Sequence, residues 1–423
     1  MTTIMNAINF VMDAGASVFM PIIILVLGLV FGLKFARAFK AGVVVGIGFI
    51  GINLVIGILS ENLMVVINQL VELYNFKLTA IDVGWTIGAT IAWSTGIIVP
   101  IILVAVLLTN IILITVGFTK TLNVDIWNYW GALFVGNAIY LTTGNMVVGV
   151  LAAVLAMAVT LKMADFAQPR IEKSFGMPGM TTCNMETVSW AVIGIPLNKL
   201  IDQIPVINKI DWTPQRIQEK LGTFGEPWFI GGVIGLILSL IARLDAQTVM
   251  TVTINTAAAM FLLPKMIGVL MEGLMPITEA ATVFMQKHFS GRQLNIGLDA
   301  AVLVGNPSVV ATALLLIPTT LVMAMILPGN ITLPLAELSG ISFLIVWAVI
   351  PSNGNVFRGW LIGTVIMAFV LLMASSWAPV MTELGRQANY EFPEGASLIT
   401  CLTIGGEWVS WALYKLSAFF LGA

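Results

Sequence analysis

The stretch Gly57-Ile-Leu-Ser-Glu-Asn-Leu-Met64 is similar to a second stretch, Gly268-Val-Leu-Met-Glu-Gly-Leu-Met275. The two begin at positions 57 and 268 and are therefore 211 residues apart. Further matches follow in the same order at spacings of 210 to 218 residues: Asp82 with Asp299, Pro100 with Pro318, and Thr143-Gly144-Asn145 with Asn353-Gly354-Asn355. Each match alone is weak, but a shared order at a nearly constant spacing indicates duplication. The sequence therefore predicts two structural repeats.

Composition places these repeats in a lipid bilayer. Hydrophobic residues make up 59% of the 423 residues and charged residues only 9%, against about 25% charged in soluble domains. A soluble enzyme and a secreted disulfide scaffold are thereby excluded. The net charge of -2 argues against nucleic-acid binding. With one histidine and two cysteines, the sequence predicts neither a metal cluster nor any other cofactor.

Many apolar stretches are long enough to cross about 30 Å of hydrocarbon, and several are interrupted by Gly, Pro or Asn. Such breaks are tolerated in lipid only where the freed backbone groups face protein or a water-filled cavity, which favours a transporter with discontinuous helices. Residues 79–98 and 296–314 are rich in Gly, Ser, Thr and Asn, and we interpret them as re-entrant hairpins. The predicted spans are Gly15–Leu33, Ala41–Leu59, Ile97–Phe118, Gly131–Leu161, Trp228–Ala242, Val249–Met271, Ala300–Leu327, Gly340–Ile350 with Trp360–Met373, and Ser397–Leu421.

The fold class expected from these features is an all-α polytopic membrane protein. Its domains are a first repeat over residues 1–161, a polar connecting region with interfacial helices over 162–225, a second repeat over 226–378, and a C-terminal membrane segment over 379–423. Lys34, Arg37 and Lys40 lie in one loop without an acid, so this loop is predicted to be cytoplasmic. Corresponding loops in the two halves carry opposite charge bias, as expected for inverted repeats.

Ionisable groups at membrane depth are functional candidates because they are costly. Four stand out: Glu61, Glu272, Asp82 and Asp299. Glu61 and Glu272 lie at the ends of predicted apolar spans. The alternative interpretation is that both side chains lie at the level of the lipid headgroups. Asp82 and Asp299 open the predicted hairpins, where a carboxylate also serves as a helix N-cap.

Two Gly-Asn pairs and one tryptophan complete the candidates drawn from the residues themselves. Asn145 and Asn355 each follow a glycine inside a long apolar segment. Their amides can donate and accept together, which suits a neutral polyhydroxylated solute, although a simple helix kink is the alternative. Trp85 could stack on the C–H face of a sugar, or it could anchor the protein at the interface like most membrane tryptophans.

Six motifs stand out along the chain: Lys40-Ala-Gly-Val-Val-Val-Gly-Ile-Gly-Phe-Ile-Gly51, Asp82-Val-Gly-Trp85, Asn123-Val-Asp-Ile-Trp-Asn128, Ile217-Gln-Glu-Lys-Leu-Gly-Thr-Phe-Gly-Glu-Pro227, Ile296-Gly-Leu-Asp299 and Pro328-Gly-Asn330. Together they resemble the galactitol permease family, the IIC components in the ascorbate–galactitol group of the bacterial phosphotransferase system (PTS). The resemblance extends over most of the chain and weakens after about Met373. At Asn306 and Glu61 the family pattern leads one to expect histidine and aspartate, so the resemblance indicates the class of substrate rather than the individual polyol.

The resemblance implies a homodimer in the bacterial inner membrane, with a moving core domain and a dimerisation domain. It also implies phosphorylation of the substrate by a phosphocysteine of a separate IIB protein, itself charged by a IIA protein. We expect a galactitol-like polyol to bind between the hairpin tips and the Gly-Asn breaks. Asp82, Trp85, Asn145, Asn306, Asn355, Glu61 and Glu272 are the predicted substrate-binding residues.

Asp299 is the predicted catalytic residue, because a carboxylate beside the reacting hydroxyl could orient or deprotonate it. The competing hypothesis is a proton-coupled secondary symporter for a polyol or sugar that uses the same carboxylates.

Overall fold

The computed structural model describes residues 20–74, 78–94, 98–288, 293–393 and 396–421. The predicted span Gly15–Leu33 therefore begins outside the described residues. The chain is mostly helical, as predicted. The helices are α1 (Met20–Val30), α2 (Phe35–Leu73), α3 (Trp85–Ser94), α4 (Ile98–Thr115), α5 (Trp130–Thr143), α6 (Met146–Phe175), α7 (Met185–Val188), α8 (Ala191–Asp202), α9 (Pro205–Asn208), α10 (Pro214–Leu221), α11 (Pro227–Ile241), α12 (Ala246–His288), α13 (Ala301–Val304), α14 (Pro307–Ile326), α15 (Ser342–Val349), α16 (Val356–Gln387), α17 (Leu402–Gly406) and α18 (Trp408–Leu421).

Within the described residues, six helices are long and apolar enough to cross a bilayer: α2, α4, α6, α12, α14 and α16. A seventh span results if Arg216–Gly225 and Pro227–Ile241, which meet at 74°, are counted together. Several predicted spans are divided. Residues 131–161 break into α5 and α6, and residues 397–421 contain a strand before α17 and α18. The polytopic, helical architecture is confirmed, with fewer full-length spans than the hydropathy alone indicated.

Two small parallel sheets exchange strands between the halves of the chain. The strands are β1 (Ala80–Asp82), β2 (Thr121–Asn123), β3 (Met180–Thr182), β4 (Asn295–Leu298), β5 (Thr332–Leu333) and β6 (Leu398–Thr400). In one sheet β1 is central, with Ala80 opposite both Thr332 and Leu398. In the other β4 is central, with Ile296 opposite Leu122 and Met180. Each central strand is therefore flanked by strands from the opposite half.

The order of elements repeats along the chain. The first series is α2, β1, α3, α4, β2, a 3₁₀ helix, α5, α6, β3, α7 and α8. After α9, α10, the 3₁₀ helix Gly222–Gly225 and α11, the second series is α12, β4, α13, α14, β5, a 3₁₀ helix, α15, α16, β6, α17 and α18. The 3₁₀ helices within the two series are Ile126–Tyr129 and Leu338–Gly340. The duplication inferred from short sequence matches thus extends to the succession of elements.

The long helices α2 and α12 pack against each other and run antiparallel. A Cβ on Gly48 would lie 2.7 Å from the Leu270 Cα, so the backbones approach closely there. Farther along α2, Asn255 Nδ2 donates to Asn62 Oδ1 at 3.0 Å. Helix α12 also packs on α11, so α2, α11 and α12 form one unit, which we term the long-helix unit.

Both Gly-Asn pairs mark helix breaks. Gly144 ends α5 at φ 66°, and Asn145 begins α6 by accepting hydrogen bonds from Val147 N and Val148 N at 3.0 and 3.2 Å. Gly354, at φ 80°, precedes Asn355, which caps α16. A left-handed conformation carries a steric cost for residues with a Cβ, which explains glycine at both breaks.

Candidate functional site

A cavity of about 300 Å³ lies halfway along α2, between the long-helix unit and the rest of the protein. From α2 it is lined by Phe49, Asn53 and Ile56, and across from them by Trp85, Asp125, Trp127, Trp130, Asn184, Glu186, Asp299, Ala301 and Phe343. Its volume lies at the lower end of the range for small-molecule sites. We refer to it as the central cavity.

The carboxylates of the central cavity come from the carboxyl ends of the three strands of one sheet. Asp125 follows β2, Glu186 follows β3 and Asp299 follows β4. Because these strands are parallel, their carboxyl ends meet at one edge of the sheet, the edge at which parallel sheets commonly bind ligands. The sheet thus brings together three acids that are far apart in sequence.

Local hydrogen bonds fix each of these acids and leave some oxygens unused. Asp299 accepts from Ala301 N at 2.8 Å and from Asn184 Nδ2 at 3.2 Å. Asp125 Oδ1 accepts from Trp127 N at 3.1 Å. Asp125 Oδ2 and Glu186 Oε2 are buried and have no hydrogen-bond partner among the described residues. Since buried polar atoms are normally paired, these two oxygens are available to water or to a ligand that donates hydrogen bonds.

An aromatic wall stands beside these acids. Trp85 contacts Trp127 edge-on, with ring centroids 5.3 Å apart, and lies 6.5 Å from Trp130. The Trp85 side chain remains about one-third exposed, at 36%. Acceptor oxygens next to aromatic faces suit a neutral ligand with many hydroxyls and C–H groups.

The second sheet also carries buried acids, but their oxygens accept hydrogen bonds from within the protein. Asp82 Oδ2 accepts from Leu335 N and Glu337 N at 3.1 and 2.8 Å, and Asp82 Oδ1 accepts from Gly84 N at 3.1 Å. Glu337 accepts from both the backbone N and the hydroxyl of Thr403. Both carboxylates are buried and bonded within the protein, and neither lines the central cavity. This group joins the halves of the chain.

Of the predicted site residues, the central cavity brings together Asp299 and Trp85. Asp82 lies in the second sheet, and Asn145 lies exposed at the α5–α6 break. Asn355 is buried, with its Nδ2 donating to Ile210 O at 2.7 Å. Asn306 caps α14 and lines a different pocket.

Glu61 and Glu272 are exposed on the outer faces of α2 and α12. Both lie within long helices rather than at their ends.

Sequence reasoning missed Asp125, Glu186 and Asn184. Asp125 belongs to a motif that resembles the family, Asn123-Val-Asp-Ile-Trp-Asn128, and its place between an Asn and a Trp was an available signal. Glu186 and Asn184 lie in the segment interpreted as a polar connection, and only the pairing of β3 with β4 brings them to the cavity. No group of three or more acids, cysteines or histidines in the described part of the chain could hold a metal ion.

Comparison with known proteins identifies the family. The model for the PTS system sugar-specific permease component, EIIC-GAT, matches residues 10–395. The chain belongs to this family. A protein of Escherichia coli K12 that carries the provisional name permease IIC component is 37% identical over 408 residues, covering 96% of this chain and 93% of that protein. The galactitol-specific EIIC components of the PTS in E. coli K12 and O157:H7 are each 32% identical over 411 residues. Each of these matches covers 97% of this chain and 90% of the relative.

Membership in EIIC-GAT and the apolar helices together establish the location and general role of the protein. It is a multi-pass protein of the inner membrane and a sugar-specific permease component of the PTS. The resemblance inferred from six sequence motifs is confirmed.

Proposed function

We propose that this EIIC-GAT protein binds a galactitol-like polyol in the central cavity and carries it across the membrane. The unpaired, buried oxygens of Asp125 and Glu186 opposite the tryptophan wall support this proposal most directly. Each can accept a hydrogen bond from a polyol hydroxyl, and a hydrogen bond is strengthened in a poorly hydrated site. The similarity to galactitol-specific EIIC components supports galactitol as the first polyol to test.

The position of the central cavity supports an elevator-type movement. Phe49, Asn53 and Ile56 contribute from the long-helix unit, while the acids and tryptophans belong to the remaining elements. A ligand at this boundary can be carried if the elements bearing Asp299 slide along α2. In this proposal the long-helix unit stays fixed and the other elements form the moving core domain.

Transport is proposed to be coupled to phosphorylation by a separate IIB protein, which is charged in turn by IIA. Asp299 is the proposed orienting or basic group, since its carboxylate lies in the central cavity and is held by Ala301 and Asn184. The attacking hydroxyl oxygen would form a bond to the phosphorus of the IIB phosphocysteine as the S–P bond breaks, and its proton would pass to Asp299. The phosphate adds roughly two negative charges, so the product would be repelled by the acids of the cavity.

The repeats are proposed to be inverted relative to each other. The repeated order of elements and the antiparallel packing of α2 with α12 support this topology, because an inverted pair places equivalent helices in opposite directions.

A homodimer is proposed on a different observation. Glu61 and Glu272 lie on exposed faces of membrane helices, where charged groups are costly in contact with lipid. A second copy that covers these faces would remove both from lipid.

Uptake assays test the proposal against the proton-coupled symporter. In membrane vesicles, uptake of galactitol by the wild-type protein is expected to require phosphoenolpyruvate together with the IIA and IIB proteins, and to survive collapse of the pH gradient. The expected product inside the vesicles is a polyol phosphate. Uptake of unmodified polyol that stops when the pH gradient collapses would instead support the symporter.

A further inference from the structure

A second pocket, of about 240 Å³, lies where α6 ends and α14 begins. We term it the end pocket. Its described lining residues are Lys173, Ser174, Phe175, Pro214, Asn306, Pro307, Ser308, Val349, Ile350, Asn353 and Gly354. It shares none of these with the central cavity. The predicted hairpin tip at Asn306 and the helix break at Gly354 were both expected to bind substrate. Both line the end pocket instead of the central cavity.

The α6 side of the end pocket lies toward the basic loop of Lys34, Arg37 and Lys40. Gly179, shortly after α6, lies against Thr278, since a Cβ on Gly179 would be 2.6 Å from the Thr278 Cγ2. The next residue, Glu279, pairs with Arg37 at 3.6 Å. The positive-inside rule places that loop in the cytoplasm, so this side of the pocket lies toward the side on which a phosphorylated product would leave.

The Ser308 side chain has no hydrogen-bond partner among the residues that the structure describes. Ser308 is 4% exposed, and its hydroxyl makes no hydrogen bond to any described residue, although its backbone N–H donates to Asn306 Oδ1 at 2.9 Å. A Cβ on Gly354 would lie 3.0 Å from Ser308 Oγ, so the absence of a side chain at Gly354 keeps the space in front of the hydroxyl open. The hydroxyl of this largely buried residue is therefore available to a ligand or to water in the pocket.

The end pocket is lined by a basic residue, whereas the central cavity is lined by acids. Lys173 lines the end pocket and forms no ion pair with the described residues, and no acid is present among the described lining residues. The pocket also contains the first turn of α14, a helix of 20 residues, whose amino end carries a partial positive charge. The Nδ2 of Asn306 donates to no described residue and adds a further hydrogen-bond donor.

We propose that the end pocket is a subsite for a phosphate group. The Lys173 ammonium, the Ser308 hydroxyl and the Asn306 amide would donate to the phosphate oxygens at the start of α14. The phosphate would belong either to the polyol phosphate product or to free inorganic phosphate. The first source rests on the proposed function, whereas phosphate binding itself does not. A product repelled by the central acids would thus find a complementary site at the cytoplasmic end.

Calorimetric titration of the purified full-length protein tests this subsite, with inorganic phosphate and galactitol 1-phosphate as separate probes. Both Lys173→Gln and Ser308→Ala are expected to weaken phosphate binding, by roughly tenfold or more, given the usual strength of hydrogen bonds to charged groups. Lys199→Gln, which changes an exposed lysine of α8 outside this pocket, is the matched control and should bind like wild type. Thermal unfolding of each variant verifies that it is folded.

The two probes and a galactitol titration separate the possible outcomes. Tighter binding of galactitol 1-phosphate than of inorganic phosphate identifies the product as the ligand, and equal binding identifies phosphate alone. Galactitol affinity should be unchanged in Lys173→Gln. If wild type binds neither probe, or if folded Lys173→Gln and Ser308→Ala bind both normally, the subsite is refuted. Failure of galactitol itself to bind would refute the proposed function while leaving a phosphate result intact.

Discussion

Asp82 and Asp299 stand at corresponding places in the two repeats, yet their surroundings assign them different tasks. Asp82 accepts three backbone N–H groups, two of which belong to the other half of the chain. Asp299 accepts one backbone N–H and one side-chain amide and borders an open cavity. The number of internal donors, rather than the kind of residue, thus separates a structural acid from one that is available to a ligand.

The unpaired oxygens of Asp125 and Glu186 lead to a prediction about affinity. Asp125→Asn and Glu186→Gln each replace a carboxyl group by an amide of nearly the same shape. Each is expected to weaken galactitol binding by roughly tenfold or more, because a buried ligand hydroxyl left without its acceptor costs about 1–3 kcal/mol. Equilibrium binding to the purified protein measures the change. Glu172→Gln, on an exposed position of α6, is the control, and equal affinities in all three variants would contradict the proposed site.

Asn substitutions at the two corresponding aspartates should separate chemistry from stability. Asp299→Asn is expected to lower the rate of coupled phosphorylation by about 10²-fold or more, the usual contribution of general-base assistance, with the protein still folded. Asp82→Asn should instead lower the free energy of unfolding by about 1–3 kcal/mol, because an amide N–H₂ would face a buried N–H donor. Phosphorylation assays with IIB and denaturation curves measure the two effects. Unchanged phosphorylation in Asp299→Asn would remove the catalytic role.

Part of the site could be predicted from single residues. Asp299 and Trp85 were identifiable because a charge or an indole beside a Gly-rich apolar hairpin is unusual. Glu186 and Asn184 could not be, since their position depends on the pairing of β3 with β4, more than a hundred residues away in sequence. Asn145 and Asn355 were correctly placed at helix breaks, but their side chains are used as caps.

At the level of elements, the break before α16 allows a test of backbone conformation. Gly354→Ala should destabilise the protein by about 1–2 kcal/mol, the cost of a left-handed residue with a Cβ, and the added methyl would also crowd Ser308. Gly268→Ala is the control, because Gly268 lies inside α12 with no atom within 4 Å of the added Cβ. There the substitution should be stabilising by about 0.5–1 kcal/mol. Thermal unfolding compares them, and equal effects would argue against strain at Gly354.

Helices and strands differed in how well the sequence predicted them. Long apolar runs marked α2, α4, α12 and α14, because a span of about 20 apolar residues is a strong signal. The six strands have two to four residues each. A strand that short shows too few alternations to reveal its period, and these strands are buried on more than one side. Only tertiary pairing makes them visible.

For the whole molecule, the proposed inverted topology predicts the side on which equivalent positions react. Ala36 and Gln247 are exposed, are the second residues of α2 and α12, and are separated by the repeat spacing of 211 residues, from position 36 to position 247. Ala36→Cys should react with a membrane-impermeant maleimide only from the cytoplasm, and Gln247→Cys only from outside. The native Cys183 and Cys401 are buried and provide a low background. Reaction of both from the same side would contradict the inversion.

The exchange of strands between the halves has a consequence for how the protein is made. Strand β1 receives its neighbour β6 only when the ribosome has translated as far as Thr400. Until then, one edge of β1 stays unpaired in a chain that is already entering the membrane, although its other edge can pair with β5 once Leu333 has been made. Insertion of the helices and completion of this sheet are therefore separate stages of biogenesis, and the second must wait until β6 has been synthesised. Two separately expressed halves should each accumulate as an unfinished product, and should complement one another when synthesised in the same cell.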